Sequence, residues 1–323
     1  MSSVLILSHD DVIAALPPGD CADAMAKVLA AHARGAAQMP LRSMVPFDGA
    51  AGFMGLMPAW RGGEDPVFSL KALCVMPGNP ARGLDSHQGT VTLFDGATGV
   101  PRAILDASAV TAIRTAAVTA VATRVLARED AAVLAILGAG VQGKAHLDAL
   151  LRVRSFPDVR VFAPNRSHAV QTAGDRATVA SSAEDAVRDA DVVVLATSAC
   201  EPVVQREWLA SGTHVNAVGA SMPSAREIDV ETVAACALFC DSRESLRNEA
   251  GEYLMAVAEG AISGENHVRG ELGEVLAGTA PGRRSPEELT VFRSLGLAVE
   301  DLAAAECAVS RARRLGIGTE VEL

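Results

Sequence analysis

The chain has 323 residues, 50% of them apolar, and 39 acidic against 28 basic side chains give a formal net charge of -11. That length allows a large core and about two domains, and the acidic balance, with no block of Lys and Arg, excludes nucleic acid as an expected partner. The start, Met1-Ser2-Ser3-Val4-Leu5-Ile6-Leu7-Ser8, has no basic flank and too short an apolar run for a signal peptide. No later stretch reads as a bilayer span, so a cytoplasmic protein without a membrane partner is expected.

In chain order, Ser8-His9-Asp10-Asp11 has the form of a helix cap; that helix ends at Pro17-Pro18, and a second covers residues 20–34. Between residues 42 and 105 the pattern changes to short apolar runs broken by Gly, Pro, Asp and Asn, at 43–45, 52–57, 68–75, 89–94 and 103–105. This predicts a mostly antiparallel sheet. Lys71 lies in one of these runs between Leu70 and Ala72, where an ammonium needs a ligand or a carboxylate unless it faces solvent. Residues 109–127 read as a long Ala-rich helix carrying Arg114 and Thr115.

A strand at 131–137 then runs into Gly138-Ala139-Gly140-Val141-Gln142-Gly143, and a helix follows at 142–151. In such a turn Gly138 permits the bend, Gly140 lets the backbone approach a dinucleotide pyrophosphate, and Gly143 lets the helix pack closely. The anion would sit on unpaired helix N-terminal amides. The next strand, 159–163, ends where an Asp or Glu would receive the ribose hydroxyls of NAD, but the chain reads Pro164-Asn165-Arg166-Ser167. A guanidinium and two neutral hydrogen-bonding groups suit a 2′-phosphate, so NADP(H) is preferred and NAD(H) is possible. The plainer alternative makes Ser167 a helix cap and Arg166 a solvated charge.

The rhythm continues with a helix at 182–189, strands at 192–196 and 214–218, a helix at 230–235, a strand at 237–241 and a closing helix at 297–315. Alternating strands and helices predict an α/β fold with a Rossmann-type doubly wound parallel sheet. Cys21, Cys74, Cys200, Cys236, Cys240 and Cys307 are scattered without a His cluster, which predicts reduced thiols and no metal site.

Met39-Pro40-Leu41-Arg42, Gly55-Leu56-Met57-Pro58, Lys71, Thr111-Ala112-Ile113-Arg114-Thr115-Ala116-Ala117, the glycine turn, Asn216-Ala217-Val218-Gly219-Ala220, and the stretch from Thr290-Val291-Phe292 to Glu300-Asp301 together resemble the ornithine cyclodeaminase and mu-crystallin family. The resemblance implies that the nucleotide domain, 117–297, is inserted into an α+β substrate and dimerisation domain, 1–116 plus 298–323, of a homodimer. It implies that Arg114 grips a substrate carboxylate with help from Arg42 and Met57, that Lys71 is catalytic, and that Arg114 also borders the cofactor. Thr90, Thr115, Thr197, Val218 and Gly219 would meet the cofactor beside the residues from Gly138 to Gly143 and Asn165 to Ser167, with Ser294 near the nicotinamide.

Two departures narrow the activity. Cyclodeaminases carry an Asp where this chain has Ser221, and a serine cannot act as that base. Cyclising members carry a Glu where this chain has Gly55. Both replacements, with Ser86-His87-Gln88, resemble the mu-crystallin branch, which implies NAD(P)H-dependent reduction of Δ1-pyrroline-2-carboxylate or Δ1-piperideine-2-carboxylate to proline or pipecolate. Lys71, Ser221 and His87 would handle protons, although a lone His in a turn is commonly a hydrogen-bonded loop residue. The alternatives are ornithine cyclodeamination, an alanine-type amino-acid dehydrogenase, and a ligand-binding protein without catalysis.

Overall fold

Strand Val67–Val75 alternates buried and outward residues, so Val67, Ser69, Lys71 and Leu73 share one buried face while Phe68, Leu70, Ala72 and Cys74 point the other way. The structure, a computed structural model, describes residues 3–322. The chain divides into two units, parting between Arg114 and Thr115 and again between Leu295 and Gly296.

The first unit holds an eight-stranded sheet. Its order is Thr319–Glu322, Ser3–Leu7, Pro101–Asp106, His87–Asp95, Val67–Val75, Phe53–Arg61 and Ala37–Gln38, with Ser43–Pro46 also paired to Phe53–Arg61. Only Ser3–Leu7 and Pro101–Asp106 run parallel; the other pairings are antiparallel, as the pattern predicts. The two strands at the Thr319 end were not expected. One, Ser-Val-Leu-Ile-Leu, has only four apolar residues in a row, and the other, Thr-Glu-Val-Glu, is exposed throughout and has no buried stripe to read. Helix Ala298–Leu315 lies against the inner face at Phe53–Arg61, Val67–Val75 and His87–Asp95, and against helix Pro18–Ala33.

Helix Ala107–Leu126 corrects one expectation: it is long and apolar enough, by length and composition, to cross a membrane. Because 72% of its apolar window is buried within the fold, packing accounts for its apolarity.

In the second unit eight parallel strands run in the order Thr178–Val179, Asp158–Phe162, Val133–Leu137, Val192–Leu195, His214–Ala217, Thr290–Arg293, Ala237–Cys240 and Val268–Glu271. The central ones are buried at every residue, which fits a parallel sheet covered on both faces. Thr290–Arg293, expected only as a motif, is a strand inserted between His214–Ala217 and Ala237–Cys240. The cap of helix Arg166–Ala173 is Asn165, not Ser167: the Asn165 side chain accepts the Ser167 N–H at 3.0 Å and its hydroxyl at 2.7 Å. Helix Ala183–Val187 stops short of residue 189 because Arg188 is extended and Asp189 has a φ of 58°.

Candidate functional site

The first unit builds its site from the buried face of Val67–Val75. Lys71, 2% exposed, stands in register with Met57 on one neighbouring strand and Val91 on the other. Its Nζ lies 2.7 Å from Asp301 Oδ2 and 3.5 Å from Thr111 Oγ1. Asp301, in the first turn of Ala298–Leu315, also accepts the Arg114 Nε–H at 3.0 Å, and Arg114 Nη1 lies 2.8 Å from Glu300 Oε2. All four charged groups are buried, and two carboxylates balance one ammonium and one guanidinium. Desolvation pulls the Lys71 pKa down to about 8, with Asp301 opposing it and Arg114 and Arg42 adding to the fall.

Gly296 is a condition for this cluster. Its φ is +85°, and a Cβ there would come 2.8 Å from both terminal nitrogens of Arg114. Gly55 carries no such constraint: a Cβ would meet nothing closer than 3.5 Å, and the residue is buried on the face that Met57 and Lys71 share. A carboxylate at position 55 would therefore lie on the Lys71 side of the sheet.

Arg42 is half-buried, and its charge lowers the pKa values of both Lys71 and His87. His87 is the first residue of strand His87–Asp95, not part of a turn, and its Nδ1 lies 3.0 Å from Ser86 Oγ. Desolvation first, then Lys71 and Arg114, hold its imidazole below the usual histidine range. Thr90 is not brought to this cluster. It pairs with Ala72 and is exposed, on the sheet face opposite Lys71.

The second unit carries the glycine turn between Val133–Leu137 and helix Val141–Val153. Gly138 has a φ of +109°, and a Cβ on it would fall 2.2 Å from Ala196 O. A Cβ on Gly143 would fall 2.0 Å from Gly138 O, so helix and turn touch there without room for a side chain. Around Gly140 nothing lies within 4 Å of a Cβ, so no protein group requires glycine at that position. Gly140 is the N-cap and supplies no side-chain cap, while Ala139 and the exposed Val141 flank it. Gln142 Oε1 and Ser294 Oγ are sealed from water without a hydrogen-bond partner among the described residues. An uncapped helix N-terminus, open space at Gly140 and two waiting polar atoms fit a dinucleotide.

Asn165, Arg166 and Ser167 are exposed at the start of Arg166–Ala173, beyond the second strand of the sheet. Thr115, on Ala107–Leu126, is buried. The Thr197 hydroxyl is already donated, to Glu227 Oε1 at 2.7 Å; the Val218 N–H is donated to Leu195 O, and the Gly219 N–H is shared between Leu195 O at 3.1 Å and Glu227 Oε2 at 2.6 Å. Ser221 is exposed in the segment after His214–Ala217.

Four partners were missed as site residues. Glu300 and Asp301 stood in a quoted motif, so the signal was present and only their role was unread. Arg293 lies in the same stretch but reads as a surface charge ending an apolar run, and Glu227, a lone acid in a loop, gives no signal. Among the described residues no cluster of His, Cys, Asp and Glu is placed to hold a metal ion, and the six cysteines are free thiols.

A sequence profile described as the ornithine cyclodeaminase/mu-crystallin family matches residues 3–314. The chain is 41% identical over 276 residues to the ketimine reductase mu-crystallin of Mus musculus, covering 84% of each. The structure of Thermococcus litoralis Δ1-pyrroline-2-carboxylate reductase in complex with NADH and L-proline superposes with a TM-score of 0.93 at 34% identity, over 98% of this chain and 100% of that one. An archaeal alanine dehydrogenase dimer with bound NAD gives a TM-score of 0.93 at 34% identity, over 100% of both chains.

Proposed function

Because the chain belongs to the ornithine cyclodeaminase/mu-crystallin family, we propose that it reduces small cyclic ketimines, Δ1-pyrroline-2-carboxylate or Δ1-piperideine-2-carboxylate, to proline or pipecolate. The observation that carries this reading is the buried cluster in which Asp301 holds both Lys71 and Arg114. Arg114, its fork fixed by Glu300 and Asp301, binds the substrate carboxylate, with Arg42 beside it. Met57, next to Lys71 in the register, packs against the ring.

When bound, a reduced nicotinamide supplies a hydride to the imine carbon. The C=N electron pair then moves to nitrogen, which takes a proton from the Lys71 ammonium, and Asp301 holds that ammonium on its donor side. A pKa of about 8 keeps Lys71 protonated at neutral pH yet a ready donor. His87 returns the proton from water, and the Ser221 hydroxyl hydrogen-bonds the ring nitrogen or a water. Neither residue 55 nor residue 221 is an acid, so the carboxylates suited to a diamine are replaced by glycine and serine.

The glycine turn, Thr115, Val218 and Ser294 serve the cofactor. Arg166 and Ser167 favour NADP(H) by meeting a 2′-phosphate, while Asn165 shapes the helix end that presents them. Thr90 does not belong with the Lys71 cluster, and its exposed face with Met54 and Phe68, 36% and 46% exposed, suits the contact of a homodimer. The protein is read as cytoplasmic. A second reading, amino-acid dehydrogenation of the alanine type, is favoured by the likeness to the archaeal enzyme. Product analysis separates the two: imine with NADPH yields proline under the first reading, and pyruvate with ammonia yields alanine under the second.

A further inference from the structure

The second unit contains a fully buried carboxylate for which hydride transfer has no use. Glu227, 0% exposed, accepts four hydrogen bonds: Thr197 N at 2.9 Å and Thr197 Oγ1 at 2.7 Å on Oε1, then Gly219 N at 2.6 Å and Ala220 N at 3.2 Å on Oε2. Its own carbonyl is held by Val203 and Val204 N–H groups at 2.9 and 3.3 Å, so the acid is anchored from behind. One carboxylate thus ties the turn after Val192–Leu195 to the turn after His214–Ala217.

From the carbonyl side the second turn is held again. Arg293, 1% exposed, donates Nη1 to Ala217 O at 2.8 Å and Nη2 to Ala220 O, while its Nε pairs with Glu252. Gly219 lies where these ties converge. A Cβ there would fall 2.1 Å from Thr197 O and 2.6 Å from Glu227 Oε1, closer than any side chain allows. Both turns leave the carboxyl ends of parallel strands, the end at which open α/β sheets bind their ligands.

We propose that Glu227 and Arg293 are positioning residues that lock residues 217–221 against Thr197, setting the cofactor-facing surface of this unit and the place of Ser221. The inference rests on the dinucleotide reading of Thr197, Val218 and Gly219. It adds that the Thr197 hydroxyl and the amides of Gly219 and Ala220 are committed to Glu227, so these turns meet the cofactor by shape while the phosphates rely on the amides of Val141–Val153.

Full-length E227Q tests this, because glutamine keeps the volume but must turn an N–H₂ toward a backbone donor. Fluorescence titration with NADPH and with NADH should show affinity about ten-fold weaker or worse. The KM for cofactor should rise with it, while the KM for the imino acid stays within about two-fold. E227D, which keeps the charge but is one methylene shorter, should recover part of the loss. T197V, which removes a single donor, supplies the same test if E227Q does not fold, with about three-fold or greater weakening expected. A variant that melts earlier yet binds both nucleotides as tightly as the parent overturns the positioning role. A parent protein that binds neither nucleotide overturns the dinucleotide reading itself.

Discussion

Lys71 and Asp301 form a 2.7 Å ion pair with side chains only 2% and 1% exposed, and Asp301 holds Arg114 with its other oxygen. One acid therefore fixes both the proton donor and the carboxylate grip. D301A takes from Lys71 its carboxylate partner and from Arg114 the acceptor of its Nε–H, and loss of one partner of a buried pair costs about 3–5 kcal/mol. Chemical denaturation should show that loss, and D301N, which keeps the volume, should show a smaller one.

The same pair sets a pH dependence. Lys71 must be protonated to donate, and its pKa is about 8, so the rate of imine reduction should fall as pH rises through that value. Asp301 raises the Lys71 pKa, so D301N should move the falling limb to lower pH. For stability the sign is opposite. Between about 8 and 10.5 the folded chain binds fewer protons at Lys71 than the unfolded chain, so this residue's contribution improves with rising pH across that window. K71M should remove that part of the pH dependence of the melting temperature. K71A should lose at least about a hundred-fold in turnover while binding cofactor normally, and turnover at the parent rate would leave Lys71 without a catalytic role.

Arg114 spans two carboxylates with a planar fork, and lysine cannot reproduce that geometry. R114K should raise the KM for the imino acid about ten-fold or more, and by more than it raises the KM for cofactor. Steady-state kinetics with each substrate varied in turn distinguishes this from general damage.

The glycines of the turn should separate by role. G138A forces a side chain onto Ala196 O at a φ of +109° and should destabilise the fold, whereas G140A meets no protein atom and should leave the melting temperature unchanged. If Gly140 exists for the pyrophosphate, G140A weakens cofactor binding with stability intact. Equal destabilisation by both would assign Gly140 to the turn alone.

Arg166 provides the test of cofactor choice. It is exposed and the neighbouring Asn165 is occupied as a cap, so R166D should lower the kcat/KM ratio of NADPH to NADH by about ten-fold or more. An unchanged ratio would make Arg166 a solvated surface charge.

Much of this is legible in the sequence. The glycine turn announces itself because local backbone geometry dictates residue type, and an ammonium between Leu70 and Ala72 implies a buried partner because charge is costly in an apolar strand. Identifying that partner as Asp301 requires the fold, since 230 positions separate the two residues. Strand Thr290–Arg293 is hidden because Val291 and Phe292, its two apolar residues, lie between a threonine and an arginine and form too short a run to read. The side on which Thr90 lies is likewise a matter of the fold: period-two geometry puts it on the sheet face opposite Lys71. Glu227 was illegible, since its value lies in four donors from two turns that are distant in sequence.

The most direct test of the central claim follows reduced-nicotinamide absorbance when purified protein meets Δ1-pyrroline-2-carboxylate, with NADPH and NADH in parallel and ammonia release from ornithine measured alongside. The account predicts rapid oxidation, faster with NADPH, and no ammonia from ornithine. Ammonia from ornithine without oxidation of either cofactor by the imine would contradict it, and would mean that glycine at 55 and serine at 221 do not prevent cyclodeamination.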